Sequence, residues 1–151
     1  MKAAIYVRTS KTDQILTNQL NPLIRYVLQE GWDYKLFQEQ ESTRKRRPVQ
    51  DNLYRALMRK EYDVLLVFKF DRWARSVREL VTHLEDFQEK GVRFISLKEA
   101  IDLGTATGKL MFQIIAAMAE FERELIRERT IAGLERARAE GKTLGRPRKV
   151  I

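Results

Sequence analysis

Three short polar clusters hold the groups of this chain whose types and spacing could do chemistry. Arg8 and Ser10 stand two residues apart, Glu39 and Ser42 run into Arg44-Lys45-Arg46-Arg47, and Asp71-Arg72 is followed by Arg75. Together they offer a hydroxyl, carboxylates and several guanidiniums. Guanidiniums bind phosphate bidentately and stabilise charge developing on phosphoryl oxygens without a metal. Each cluster also has a plainer reading. Arg8 and Ser10 could be ordinary polar residues at a strand end, the run to Arg47 a solvated loop, and Asp71 a carboxylate that favours the start of a helix. The conjunction weighs more than its members, provided the fold puts all three on one rim.

Composition narrows the alternatives. There are no cysteines and one histidine, which excludes a disulfide scaffold, Cys-based zinc sites and a thiol nucleophile. A histidine-activated nucleophile would depend wholly on His83, which reads as a mid-helix residue between core positions. Carboxylates are not clustered as a two-metal nuclease needs, and Gly104 and Gly108 lack the Lys-Ser/Thr and strand context of a phosphate-binding loop. The net charge of +8 favours an anionic partner, and half of it lies in residues 109–151. The second charge of the amino terminus comes too early for a signal peptide. The longest apolar stretch, Leu110 to Ala119, is broken by Gln113 and too short to span a bilayer. The expected location is the cytoplasm.

Positioning the clusters falls to an alternation of strands and helices. Ala3 to Val7 reads as a buried strand, Tyr34 to Phe37 as a second and Val92 to Leu97 as another. Val64 to Phe68 is continuously apolar, as in a parallel sheet covered on both faces. Leu20, Leu23, Ile24, Val27 and Leu28 mark an amphipathic helix ending near Gly31, with Pro22 acceptable only in its first turn. Pro48 suits the first position of a helix carrying Leu53, Leu57 and Met58. Val77, Leu80, Val81, Leu84 and Phe87 mark another, stopped by Gly91. This pattern predicts an α/β fold with a mainly parallel central sheet flanked by helices, the three clusters lying at the carboxyl ends of its strands.

The last third differs. From Gly108 to Ala139 the only breaker is Gly133, so one helix of roughly 30 residues, about 45 Å long, is expected to project from the domain. Its first half is apolar nearly all round and its second half rich in Arg and Glu. The expected division is 1–107 as the α/β domain, 108–139 as the long helix, and 140–151 as a basic tail or linker. Met111, Met118 and Phe121 suit either the core or packing against the same helix of a second subunit.

Tyr6-Val7-Arg8-Thr9-Ser10 resembles the opening signature of the serine site-specific recombinases, the resolvase/invertase family. So do Gln14 and Gln19 behind it, the Glu39…Ser42…Arg47 segment, and Lys69-Phe70-Asp71-Arg72-Trp73-Ala74-Arg75-Ser76. Ala119 to Arg123, Glu128-Arg129-Thr130 and the closing Gly145-Arg146-Pro147-Arg148-Lys149 also fit. The resemblance runs over essentially the whole chain, in order and in register.

The resemblance implies that Ser10 attacks a DNA phosphodiester to leave a 5′-phosphoserine link and a free 3′-hydroxyl. It implies that Arg8, Arg72 and Arg75 cradle the scissile phosphate with Arg47 as a further contact. Asp71 would orient those arginines or manage a proton. Tyr6, Gln14, Gln19, Glu39 and Ser42 would support the site. Arg123, Glu128 and Arg129 fall where family members place oligomer and DNA contacts, and Arg146, Arg148 and Lys149 on a tail suited to phosphate. The implied partners are double-stranded DNA and further copies of the chain, a homodimer and a tetramer on synapsis, with no membrane. Neither metal nor nucleotide nor other cofactor is implied, and the expected location stays cytoplasmic, in association with the nucleoid.

Three positions depart from the family pattern: Glu39 where well-studied members carry Asp, Thr43 after Ser42 in place of Gly, and Trp73 for a common aliphatic. Small members continue past the basic segment into a DNA-reading helix-turn-helix, which is expected to be absent here. The competing readings are a non-catalytic DNA-binding or dimer-forming regulator that kept the fold, and a metal-dependent nuclease. Intact Arg8, Ser10, Asp71, Arg72 and Arg75 argue against the first, and the missing carboxylate cluster against the second.

Overall fold

The structure, a computed structural model, describes residues 1–9, 14–40, 46–141 and Gly145, with the side chains of 14–16 left aside. Within these residues the chain runs β1 (Lys2–Thr9), α1 (Gln14–Glu30), β2 (Asp33–Gln40), α2 (Pro48–Met58) and β3 (Val64–Val67). It continues through a 3-10 turn (Phe70–Arg72), α3 (Val77–Lys90), β4 (Arg93–Ser96), β5 (Ile101–Asp102) and α4 (Ala106–Ala139). The strands form one sheet in the order β2-β1-β3-β4-β5. The first four are parallel and β5 is antiparallel to β4.

Side chains on successive strand residues point to opposite faces, and each face has its own core. Ala3, Ile5 and Val7 of β1, with Val64, Leu66 and Ile95, pack under Leu23 and Val27 of α1. Ala4 and Tyr6, with Leu65, Val67 and Phe94, pack under Leu53 and Leu57 of α2 and Leu84 and Phe87 of α3. Helices on both faces are why these strands carry no polar alternation. The α/β fold with a mainly parallel, helix-flanked sheet and a long C-terminal helix is thus present.

One local expectation needs correction, and one element has no counterpart in the sequence pattern. Pro22 lies in the interior of α1, not in its first turn, because the helix begins at Gln14. An interior proline removes one backbone hydrogen bond at a cost of about 3 kcal/mol; complete burial of Leu23 and Val27 against the sheet offsets it. The short β5 carries too few residues to show a period. It is held by pairing of Ile101 with Ser96 and of Asp102 with Ile95. The start of α4 then closes on it so tightly that a Cβ at Gly108 would stand 1.8 Å from the Asp102 carbonyl oxygen.

The chain divides into two compact units, residues 1–115 and 116–151. The first contains the whole sheet. The described part of the second is the remainder of α4 with Glu140, Gly141 and Gly145, and none of these residues is buried. Over the whole of α4, only Gly108 and Phe112 are buried. Among the described residues no helix is long and apolar enough to cross a membrane.

Candidate phosphate-binding rim

The carboxyl ends of β1 and β2 lie side by side, with Arg8 in register with Glu39. β1 also pairs with β3, and the segment leaving β3 carries Asp71, Arg72 and Arg75. The parallel topology therefore collects residues from three distant stretches of sequence on one rim.

Trp73 is at its centre. It is fully buried, and its carbonyl accepts hydrogen bonds from Arg47 Nη1 at 2.7 Å and Gln50 Nε2 at 2.6 Å. The Asp71 carbonyl accepts from Arg8 Nη2 at 2.9 Å. Two guanidiniums are thus tied to the backbone of one short turn. Arg47 is buried, and its pKa is lowered first by burial and next by the charge of Arg8, with Arg75 adding to it. Burial and like charge both oppose a cation, so the fold has crowded positive groups here at a cost.

The rim also holds donors without acceptors. Arg8 Nε and Arg72 Nε are buried and have no hydrogen-bond partner among the described residues. Neither has the Gln19 side chain, only 1% exposed on α1. A buried N–H left without an acceptor costs about 1–3 kcal/mol. Donors of this kind, with the charges of Arg8 and Arg75 acting on Arg47, are what an anion with several oxygens would satisfy.

Glu39 has a role that spacing does not reveal. Its carboxylate, 2% exposed, accepts from the backbone N–H groups of Val49 at 2.8 Å and Gln50 at 3.3 Å, the free donors of the first turn of α2. The Tyr6 hydroxyl donates to the same carboxylate at 3.4 Å. Burial, then the Glu39 charge, raises the Tyr6 pKa far above its ordinary value, so the phenol stays protonated. Glu39 anchors α2 beside β1, and with it Arg47 at the helix entrance.

The Asp71 carboxylate is exposed and faces Lys69 Nζ at 3.6 Å, and it is its carbonyl that engages an arginine. Arg75 is exposed, next to Ser76, whose hydroxyl caps α3 by accepting from the Glu79 N–H at 3.1 Å. Glu99 holds the turn from the other side. It accepts from the Phe70 N–H at 2.8 Å and from the buried Ser96 hydroxyl at 2.7 Å. Gln50 and Glu99 escaped sequence reasoning, since the turn residues they hold, Trp73 and Phe70, lie 23 and 29 residues away.

Ser10, Ser42, Arg146, Arg148 and Lys149 lie outside the described residues, as does the side chain of Gln14. Arg123, Glu128 and Arg129 are exposed on α4, with Arg123 3.9 Å from Glu120. Among the described residues no group of three or more His, Cys, Asp or Glu is placed to hold a metal ion.

Residues 3–143 match the family described as the N-terminal domain of resolvase. The chain is 40% identical over 145 residues to the transposon Tn917 resolvase of Enterococcus faecalis, covering 95% of this chain and 75% of that protein. It is 40% identical over 146 residues to the serine recombinase gin of Escherichia phage Mu, covering 96% and 72%. Among solved structures, the N-terminal catalytic domain of TP901-1 integrase matches with a TM-score of 0.75 at 35% identity, over 83% of this chain and 98% of that one. A resolvase family site-specific recombinase from Streptococcus pneumoniae shares the fold, with a TM-score of 0.70 at 24% identity over 91% and 99%.

Proposed function

The chain belongs to the resolvase/invertase family of serine recombinases, and on that premise we propose that Ser10 is its nucleophile and the Arg8–Arg47–Arg72–Arg75 rim its phosphate site. The activity is site-specific DNA strand exchange through a phosphoserine intermediate. Recombinases of this family bind DNA and typically dimerise.

In the proposed chemistry, Ser10 Oγ attacks the scissile phosphorus. The Ser10 Oγ–P bond forms, the P–O3′ bond breaks, the serine hydroxyl loses its proton and the departing 3′-oxygen gains one. The 5′-phosphoserine ester retains the energy of the phosphodiester, so attack by the 3′-hydroxyl of an exchanged strand reseals the DNA without ATP. A serine hydroxyl is a poor nucleophile by itself, and the rim offers fixed positive charge for the oxygens of the pentacovalent transition state. Asp71, Glu39, Tyr6, Gln14, Gln19 and Ser42 support that arrangement.

The observation that carries this reading is that Arg8 and Arg72 each bury an Nε–H without an acceptor, Arg8 tied to the turn that carries Arg72 and acting electrostatically on the buried Arg47. In the proposed division, residues 1–107 carry the chemistry and 108–139 pair with the same helix of a second copy. Residues 140–151 lie along DNA, with Arg146, Arg148 and Lys149 contacting phosphates and with strong salt dependence. Two dimers join as a tetramer for exchange, and Arg123, Glu128 and Arg129 serve the contacts of the long helix.

The test is a trap assay on DNA carrying a nicked half-site, without divalent metal. A covalent protein–DNA adduct is expected, absent in Ser10→Ala and unchanged by chelator. Synapsed DNA without an adduct would leave only a binding protein, and loss of cleavage on chelation would indicate a metal nuclease.

A further inference from the structure

Trp73 stands between two arginines of the proposed site and makes a contact that the mechanism does not use. Its indole Nε1–H donates to Nδ1 of His83 on α3 at 2.9 Å. The ring stands edge-on to Tyr6, with centroids 5.0 Å apart. Its backbone carbonyl receives both Arg47 and Gln50. One buried residue thus joins α3, β1 and the entrance of α2, and the one polar bond of its ring is the one to His83.

We propose that Trp73 is a positioning residue for Arg47, locked by an imidazole acceptor at His83, so that the phosphate-binding geometry of the rim depends on His83 being neutral. The inference rests on the functional reading above.

The chemistry of the pair is directional. An indole has a donor and no acceptor, and imidazole Nδ1 accepts only while it carries no proton. Protonating Nδ1 would set two N–H groups against each other, and one ring must turn away. A movement of Trp73 carries its carbonyl, and with it the Arg47 guanidinium. The surroundings of His83 bear on when this happens. The Tyr54 ring of α2 lies against it, with centroids 4.7 Å apart, and the Tyr54 hydroxyl donates to Asp86 in a short contact. Glu79 and Asp86 of α3 and Asp51 of α2 raise its pKa electrostatically, yet burial outweighs them and the pKa is lowered from its ordinary 6.5. The acceptor is therefore present at neutral pH and is withdrawn only below the ordinary imidazole value.

Two readouts test this. With Trp32→Phe, Trp73 is the remaining indole, and its fluorescence, followed from pH 8 down to the onset of acid unfolding, should show one transition with a midpoint below 6.5. Adding His83→Asn, whose amide oxygen can replace Nδ1 without titrating, should remove the transition. No transition in the first protein, or its persistence in the second, would overturn the lock.

The second readout is single-turnover cleavage of nicked DNA at pH 7.5. His83→Leu should slow cleavage on the order of tenfold with DNA affinity unchanged, and His83→Asn should restore the rate and abolish its acid limb. Equal rates for wild type and a His83→Leu protein of native circular dichroism would overturn the positioning role and leave Ser10 chemistry standing. An adduct that survives Ser10→Ala would overturn the functional reading and leave the indole titration intact.

Discussion

In residues 1–115, Ile5, Leu66 and Phe94 are shut away from water between sheet and helices. Met118, Phe121 and Ile126 of α4 each keep 62% of their surface exposed. Both regions are rich in large apolar side chains, so composition does not separate them. The difference is closure. A strand with helices on both faces has somewhere to put every side chain, whereas the described part of 116–151 is a single helix with no residue buried. Apolar surface without a covering layer marks an interaction face, which agrees with a family that typically dimerises and with the pairing proposed for 108–139.

Substitutions can break or sharpen that contrast. The largest effect on unfolding is expected from Leu66→Ala, which leaves a cavity in the α1-side core. Denaturant unfolding of the diluted protein should show a loss of about 2–5 kcal/mol. A loss below 1 kcal/mol would mean the sheet core is less closed than its burial says. Next is Glu39→Ala, which strips Val49 and Gln50 of their acceptor. It should cost about 1–3 kcal/mol and lower the cleavage rate through displaced Arg47, and full activity would separate the capping of α2 from the site.

A smaller effect concerns pH. The folded-state pKa of His83 is depressed, so its contribution to stability is fully present above the unfolded value near 6.5 and is lost as pH falls through the folded value. Compared with His83→Asn, the wild type should lose stability below pH 6.5, and parallel denaturation profiles from pH 8 to 5 would contradict this. The smallest effect on the unfolding of a diluted chain is expected from Met118→Glu, within about 0.5 kcal/mol. The same change should shift the sedimenting species toward monomer, and an unaltered dimer would place the pairing face elsewhere.

Much of the frame was legible because it rests on local physics. The apolar runs at Ala3 to Val7 and Val64 to Phe68 could be read as covered parallel strands, and Gly91 as the stop of α3, where it adopts a left-handed φ of 71°. The illegible parts involve partners remote in sequence. Nothing near Glu39 shows that it satisfies the first turn of α2. Nothing near Glu99 points to Phe70, and β5 borrows its extended form from β4. Pro22 sits in the interior of α1, against local propensity, because tertiary burial outweighs a lost helical hydrogen bond.

The candidate site divides along the same line. The residue types, the absence of thiols and the scarcity of histidine were settled by the amino-acid sequence, together with the order of elements that must place Arg8, Glu39 and Asp71 at strand ends. Only the tertiary structure decided that Arg47 hangs on the Trp73 carbonyl, that Asp71 offers its backbone and not its carboxylate to Arg8, and that His83 is the acceptor for a buried indole. Periodicity reports which face of an element is covered. Hydrogen bonds between side chains and distant backbone are set by how the elements meet, and they come into being only when the sheet has assembled.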